Sequence, residues 1–145
     1  MNVKIKLLDK NATIPTYGTE YAAGCDLYSS SLESITIDPH TTKLIHTGIA
    51  MEIPVGKVGL VYARSGLASK RSLAPANKVG VIDSDYRGEI MVALHNHSDI
   101  PQTIEAKEIV AQLVITSYNQ AMFVVVDDLS DTVRGEGGFG STGKK

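Results

Sequence analysis

Apolar residues recur at every second position along this chain in short runs, and Gly, Pro, Asp or Asn interrupts each run. Period two is the signature of a half-buried strand. It predicts a strand at 3–8, with Val3, Ile5 and Leu7 on one face. Asn11 to Gly18, with Pro15 inside it, reads as loop. In Tyr21 to Tyr28, Ala23, Cys25 and Leu27 share one face, and Asp26 and Tyr28 the other. Runs at 32–37 and 43–53 flank Asp38-Pro39-His40, Ile53 to Gly56 is a turn, and Val58 to Tyr62 is another strand. Further strands are expected at 103–105 and 108–116, and a last strong one at Met122 to Val126. One stretch reads as helix, Ser65 to Arg71, with Ser65 placed as its N-cap and Pro75 closing it off. Many short strands with turn residues between them predict an all-β sandwich or barrel with one short helix.

The run from Asn77 to Asn96 stands out. Val79 and Val81 lead in, Ile90, Val92 and Leu94 lead out, and Asp83 to Gly88 lies between them. The pattern predicts a β-hairpin whose turn is Asp-Ser-Asp-Tyr-Arg-Gly. A hairpin turn needs only small polar residues, yet this one carries two carboxylates, a phenol and a guanidinium.

Composition narrows the classes. The 145 residues suffice for one domain with a real core. A formal net charge of −2 argues against non-specific nucleic-acid binding, which needs a basic face. The single Cys25 rules out an intrachain disulfide and any multi-Cys metal site, and with no cationic neighbour it reads as a packed thiol. The N-terminus lacks a long apolar core followed by a cleavage site, so neither a signal peptide nor a membrane span is expected. The expected setting is intracellular and cytoplasmic, with a nuclear or viral one left open.

Four further stretches could carry chemistry. From Arg134 the composition shifts, and five of the ten residues to Gly143 are Gly. Gly135, Gly137 and Gly140 spell G-x-G-x-x-G, but the dinucleotide motif must open a helix and only five residues follow. Arg134, Phe139, Ser141 and Thr142 suit a lid instead: glycine amides, a guanidinium and hydroxyls can wrap a polyphosphate, and a Phe can stack on a base. A helix starting at Ser65 beside Arg64 would offer an anion site, or merely a capped helix start. Gln112 interrupts an apolar strand and either satisfies a buried backbone group or reaches a ligand. His95 and His97 share a strand face without a third ligand, so they read as surface or structural residues.

Together these stretches resemble the trimeric dUTPase family over nearly the whole chain. Five motifs keep their order: AAGCDLYSS at 22–30, ARSGL at 63–67, NKVGVIDSDYRGEI at 77–90, IVAQL at 109–113 and RGEGGFGSTG at 134–143. The resemblance implies a jelly-roll-like β-barrel at 1–133, a flexible Gly-rich arm at 134–145, and a homotrimer with active sites shared between subunits. It implies hydrolysis of dUTP to dUMP and pyrophosphate with Mg2+ on the triphosphate. Such a reaction limits uracil in DNA and supplies dUMP for dTMP synthesis. Spacing alone cannot choose between Asp83 and Asp85 as the carboxylate that activates water; the resemblance chooses Asp83. It places Tyr86 on the deoxyribose, and Asn77 with the backbone of Gly80, Val81 and Ile82 on the uracil. It gives the phosphates to Arg64, Ser65, Gly66 and Gln112. The closing arm holds Arg134, Phe139, Gly140, Ser141 and Thr142, with Phe139 over the base. Asp26 supports the metal and arginine network indirectly, and no direct protein ligand to magnesium is implied. No nucleic acid or membrane partner follows from it.

The chain departs from the family pattern in three places. Ala63 stands where Pro is usual, and Cys25 where a large residue is usual. Lys107, Glu108 and Ile109 stand where Gly-Asp/Glu-Arg is usual. Two alternatives share the fold: a dCTP deaminase relative, and a nucleotide-dependent regulatory or binding protein. The intact Asp83 to Tyr86 motif and the Phe-bearing tail favour a dUTPase.

Overall fold

The computed structural model describes residues 1–139. The alternating runs become β1 (Lys4–Leu7), β2 (Thr16–Tyr17), β3 (Cys25–Tyr28), β4 (Ile35–Ile37), β5 (Thr42–His46), β6 (Ile49–Glu52) and β7 (Lys57–Tyr62). After α1 (Ser65–Arg71) come β8 (Leu73–Pro75), β9 (Gly80–Ile82), β10 (Met91–Asn96), β11 (Gln102–Ile104) and β12 (Ile109–Ser117). All pairings of these strands are antiparallel. They form a five-stranded sheet in the order β2-β3-β12-β7-β9, a three-stranded sheet β5-β10-β8, and the pairs β1-β6 and β11-β4. The architecture is a jelly-roll-like β fold with one short helix.

The alternating positions explain the core. Cys25 and Leu27 on β3, and Val92 and Leu94 on β10, point inward; the residues between them are only half buried. β12 sits at the centre of the larger sheet. A bulge between Ile109 and Ala111 lets two consecutive residues, Val110 and Ala111, turn inward before alternation resumes at Leu113. Cys25 is buried and donates from Sγ to the Leu113 carbonyl at 3.4 Å, and burial pushes its thiol pKa up. It is a packed side chain.

The structure corrects the expected hairpin. β9 pairs with β7, whereas β10 pairs with β5 and β8. Residues 83–88 are a corner that carries the chain from one sheet to the other. Alternation reports which face of a strand is buried, and turn residues report where the chain bends. Neither reports which strand lies alongside.

Other boundaries shift for local reasons. Met122 to Val126 is not a strand; its side chains stand exposed, Phe123 at 94% and Val125 at 98%. Apolar alternation cannot form a strand unless an edge accepts it. The run 43–53 splits at Thr47-Gly48, where Gly48 takes a left-handed φ of +69°, between β5, which pairs with β10, and β6, which pairs with β1. Inside the expected loop 11–18, β2 forms by adding to the edge of β3. Leu7 is 47% exposed, while Val3 and Ile5 pack on the core. Ser65 is the first residue of α1; the cap position belongs to Arg64, which makes no side-chain capping bond.

Candidate active site

The corner and the two strands it joins enclose a pocket of ≈ 300 Å³. One wall is β9, which has β7 on one side and, among the described residues, no strand on the other. An edge strand offers backbone N–H and C=O groups that no ladder uses. Asn77, Gly80, Val81, Ile82, Asp83 and Tyr86 all line this pocket. A Cβ on Gly80 would stand 3.2 Å from Val61 Cβ and 3.4 Å from Asn77 Nδ2, so the missing side chain lets Asn77 lie close to the strand. Asp83 is exposed at the rim. Asp85 is exposed as well but is not part of the lining. The turn is held by Tyr86 N–H donating to the Asp83 carbonyl at 3.2 Å. Arg87 folds back onto the Ser84 and Tyr86 carbonyls at 2.7 and 3.0 Å.

The opposite wall was not legible in the sequence. Leu44, Met91, Val92 and Ala93 come from the smaller sheet, and Glu89 from the end of the corner. Glu89 Oε1 accepts the Gly48 N–H at 2.8 Å, and Oε2 meets His46 Nδ1 at 2.9 Å. Burial pushes this carboxyl's pKa up, but the hydrogen bonds from His46 and the Gly48 and Thr47 backbone outweigh it. The net direction is below the usual carboxylate range. Glu89 falls inside the third motif, at 77–90, but the resemblance assigns it no role there.

A second cleft lies where β7 meets α1, lined by Arg64, Gly66, Leu67, Lys70, Arg71, Glu108 and Ile109. Arg64 Nε stands 3.6 Å from Asp26 Oδ1 on β3. Gln112 lies between Asp26 and Tyr62 in the sheet register, and its Nε2 donates to the Ala63 carbonyl at 2.9 Å. The amide therefore satisfies a backbone group and fixes the connection that carries Arg64. Ser65 and Gly66 start the helix here. Arg71 bridges Glu108 and the Thr103 carbonyl, and Glu108 Oε2 accepts the Glu105 N–H at 2.7 Å. Lys107, standing at the family's usual Gly, adopts a left-handed φ of +62°.

Within one chain the two clefts share no lining residue. Among the described residues, the tail completes neither. Arg134 Nε donates to the Gly137 carbonyl at 2.7 Å, and Phe139 is fully exposed. Gly140, Ser141 and Thr142 lie outside the described residues. His95 and His97 touch edge to face, with ring centroids 4.4 Å apart, and line neither cleft. Among the described residues, no three His, Cys, Asp or Glu side chains gather as a metal cage, and no helix is long and apolar enough to cross a membrane.

Known proteins share both the sequence and this arrangement. The family model for dUTPase matches residues 10–143. The deoxyuridine 5'-triphosphate nucleotidohydrolase of Nautilia profundicola is 51% identical over 144 residues, covering 99% of this chain and 100% of that protein. That of Desulfitobacterium hafniense is 47% identical, covering 98% of this chain and 97% of its own length. The dUTPase of Staphylococcus bacteriophage 80alpha, solved with dUpNHpp, superposes with a TM-score of 0.90 at 31% identity, covering 99% of both chains. A dUTPase variant from phage phi11 of S. aureus, described as coordinating a structural Mg(II) ion, superposes with a TM-score of 0.78 at 27% identity, covering 88% of this chain and 98% of that one. On this match of sequence, fold and motif order, the chain belongs to the dUTPase family.

Proposed function

We propose that this protein hydrolyses dUTP to dUMP and pyrophosphate. The observation that carries the reading is one pocket joining the open edge of β9 to Asp83 and Tyr86. Uracil presents an N–H donor between two carbonyl acceptors. The backbone of 80–82, with Asn77, can meet that pattern. Cytosine reverses part of it and would leave buried polar atoms unpaired, which is costly. Tyr86 packs against the deoxyribose and leaves no room for a 2′-hydroxyl.

Asp83, at the rim, orients a water in line with the α-phosphorus and takes up its proton. An oxygen–phosphorus bond forms from the water as the bridge to the β-phosphate breaks, and pyrophosphate leaves. Arg64, Ser65, Gly66 and Gln112 hold the phosphates, and Arg64 offsets the charge that develops on them. The oxygens of a triphosphate suit magnesium, which when bound there neutralises the leaving group. Asp26 is engaged by Arg64 at 3.6 Å, so it would support a magnesium-bound triphosphate through that arginine rather than as a ligand.

The barrel, 1–133, works as a homotrimer, and the arm, 134–145, closes a site built by other subunits. Three observations support this. The two clefts are separate within one chain, Phe139 stands clear of both, and Met122 to Val126 is an exposed apolar run that a second copy would cover. A nucleotide substrate supports an intracellular setting.

The test is pyrophosphate release with magnesium from dUTP, dTTP, dCTP and UTP in parallel, with the mass in solution measured by sedimentation. Release from dUTP alone by a trimer is expected. Equal release from all four would sink the uracil argument. Binding of dUTP without release would favour a nucleotide-dependent regulatory protein.

A further inference from the structure

Glu89 lies one residue beyond the sequence motif's polar turn, yet it is the best-anchored residue of the corner. Its two carboxylate oxygens are both engaged, by the Gly48 N–H at 2.8 Å and by His46 Nδ1 at 2.9 Å. The next residue is tied to the same turn: Ile90 N–H donates to the Ile49 carbonyl at 2.9 Å, and Thr47 Oγ1 donates to the Ile90 carbonyl. The β5–β6 turn thus grips the end of the corner from outside the pocket. The grip is transmitted inward by one contact. Tyr86 Oη donates to the Glu89 backbone carbonyl at 2.9 Å. The phenol lies flat enough on the chain that a Cβ on Gly88 would fall 2.4 Å from its oxygen. The ring therefore has a backbone floor beneath it and a fixed acceptor at its tip.

We propose that Glu89 is a positioning residue for sugar selection: its carboxylate, clamped to the β5–β6 turn, holds the carbonyl that fixes the Tyr86 phenol, and so sets how closely that ring approaches the 2′ position of the nucleotide. This rests on the dUTP reading above, in which Tyr86 faces the sugar. Discrimination against a hydroxyl by exclusion needs a wall that does not yield. A tyrosine 41% exposed at a pocket rim is not held by packing alone. The hydrogen bond to a clamped peptide supplies the stiffness.

The experiment compares kcat/KM for dUTP and UTP in wild type, Glu89→Ala, Glu89→Gln, Tyr86→Phe and the Glu89→Ala/Tyr86→Phe double variant. Loss of one anchoring hydrogen bond should lower the dUTP-to-UTP ratio about three- to tenfold in Glu89→Ala and in Tyr86→Phe. The double variant should lose no more than either single one, because both changes release the same ring. Glu89→Gln keeps an acceptor for Gly48 and should recover most of the ratio. A merely structural role would lower turnover of both nucleotides by one factor and leave the ratio unchanged, which overturns the proposal. Additive losses in the double variant overturn it too. Should Glu89→Ala fail to fold, an unchanged ratio in Tyr86→Phe, which removes only the hydroxyl, refutes it alone. Wild type that hydrolyses UTP as readily as dUTP refutes the dUTP reading itself, and that outcome is seen before any variant is compared.

Discussion

The cleft at the corner and the cleft at the helix start lie on one chain and are built on opposite principles. The first is a shaped pocket: an open strand edge, a far wall that is apolar apart from Glu89, the rim carboxylate of Asp83 and one phenol. The second is a charge site: Arg64, Lys70 and Arg71, with Asp26 and Glu108 holding two of them in place. A shaped pocket discriminates because unpaired or overlapping groups are costly inside it. A charge site discriminates poorly but binds phosphates strongly. Neither suffices for a selective phosphoanhydride hydrolase. The lesson is that selection and charge neutralisation can be carried by separate elements; on the proposed reading, bringing them to one substrate is left to assembly.

Four experiments break or sharpen this contrast. Asp83→Asn removes the carboxylate from the shaped pocket and should lower kcat by about 10²- to 10⁴-fold while dUTP still binds by calorimetry. Asp85→Asn, outside the lining, should change kcat only a few-fold; if the two results are exchanged, the rim carboxylate has been misassigned. The next effect tests sharing. Chains carrying Asp83→Asn and chains ending at Thr132 should each be nearly inactive. Co-refolded mixtures should regain measurable pyrophosphate release, since one chain supplies the arm and another the carboxylate. Mixtures as inactive as their parents would mean that each chain completes its own site.

Arg64→Ala acts on the charge site. A hydrogen-bonded charge lost to phosphate should raise KM about ten- to a hundredfold, without changing the preference for dUTP over dCTP. A changed base preference would show that the two clefts are not separate in function. The smallest effect is on acid stability. Folding lowers the Glu89 pKa from an ordinary 4.5, so its stabilisation is full above that value and fades as pH falls through the lowered one. Glu89→Gln should therefore lose less Tm than wild type between about pH 5 and pH 3. Parallel Tm curves would assign that acid sensitivity to other groups.

Much of this was legible before any coordinates. Alternation located most strands, and the stretch Ser65 to Arg71 was read as helix, with its cap placed one residue late. Asn77, Gly80 to Asp83 and Tyr86 lie around one pocket because they are close in sequence and the corner keeps them together. What failed has a common cause. The supposed hairpin, the supposed strand at Met122 to Val126 and the far wall from Leu44 and Met91 all depend on which segment lies beside which.

Local chemistry is written in the order of residues, because a buried face, a bend and a reactive side chain each need only near neighbours. The sequence alone therefore determined the all-β class, the family resemblance and the candidate carboxylates. Pairing between sheets is a competition among distant edges, and period two is compatible with many winners. Only the tertiary structure decided that β9 and β10 part company and that Glu89 reaches Gly48, 41 residues away. Those outcomes follow from long-range packing, which no local pattern encodes.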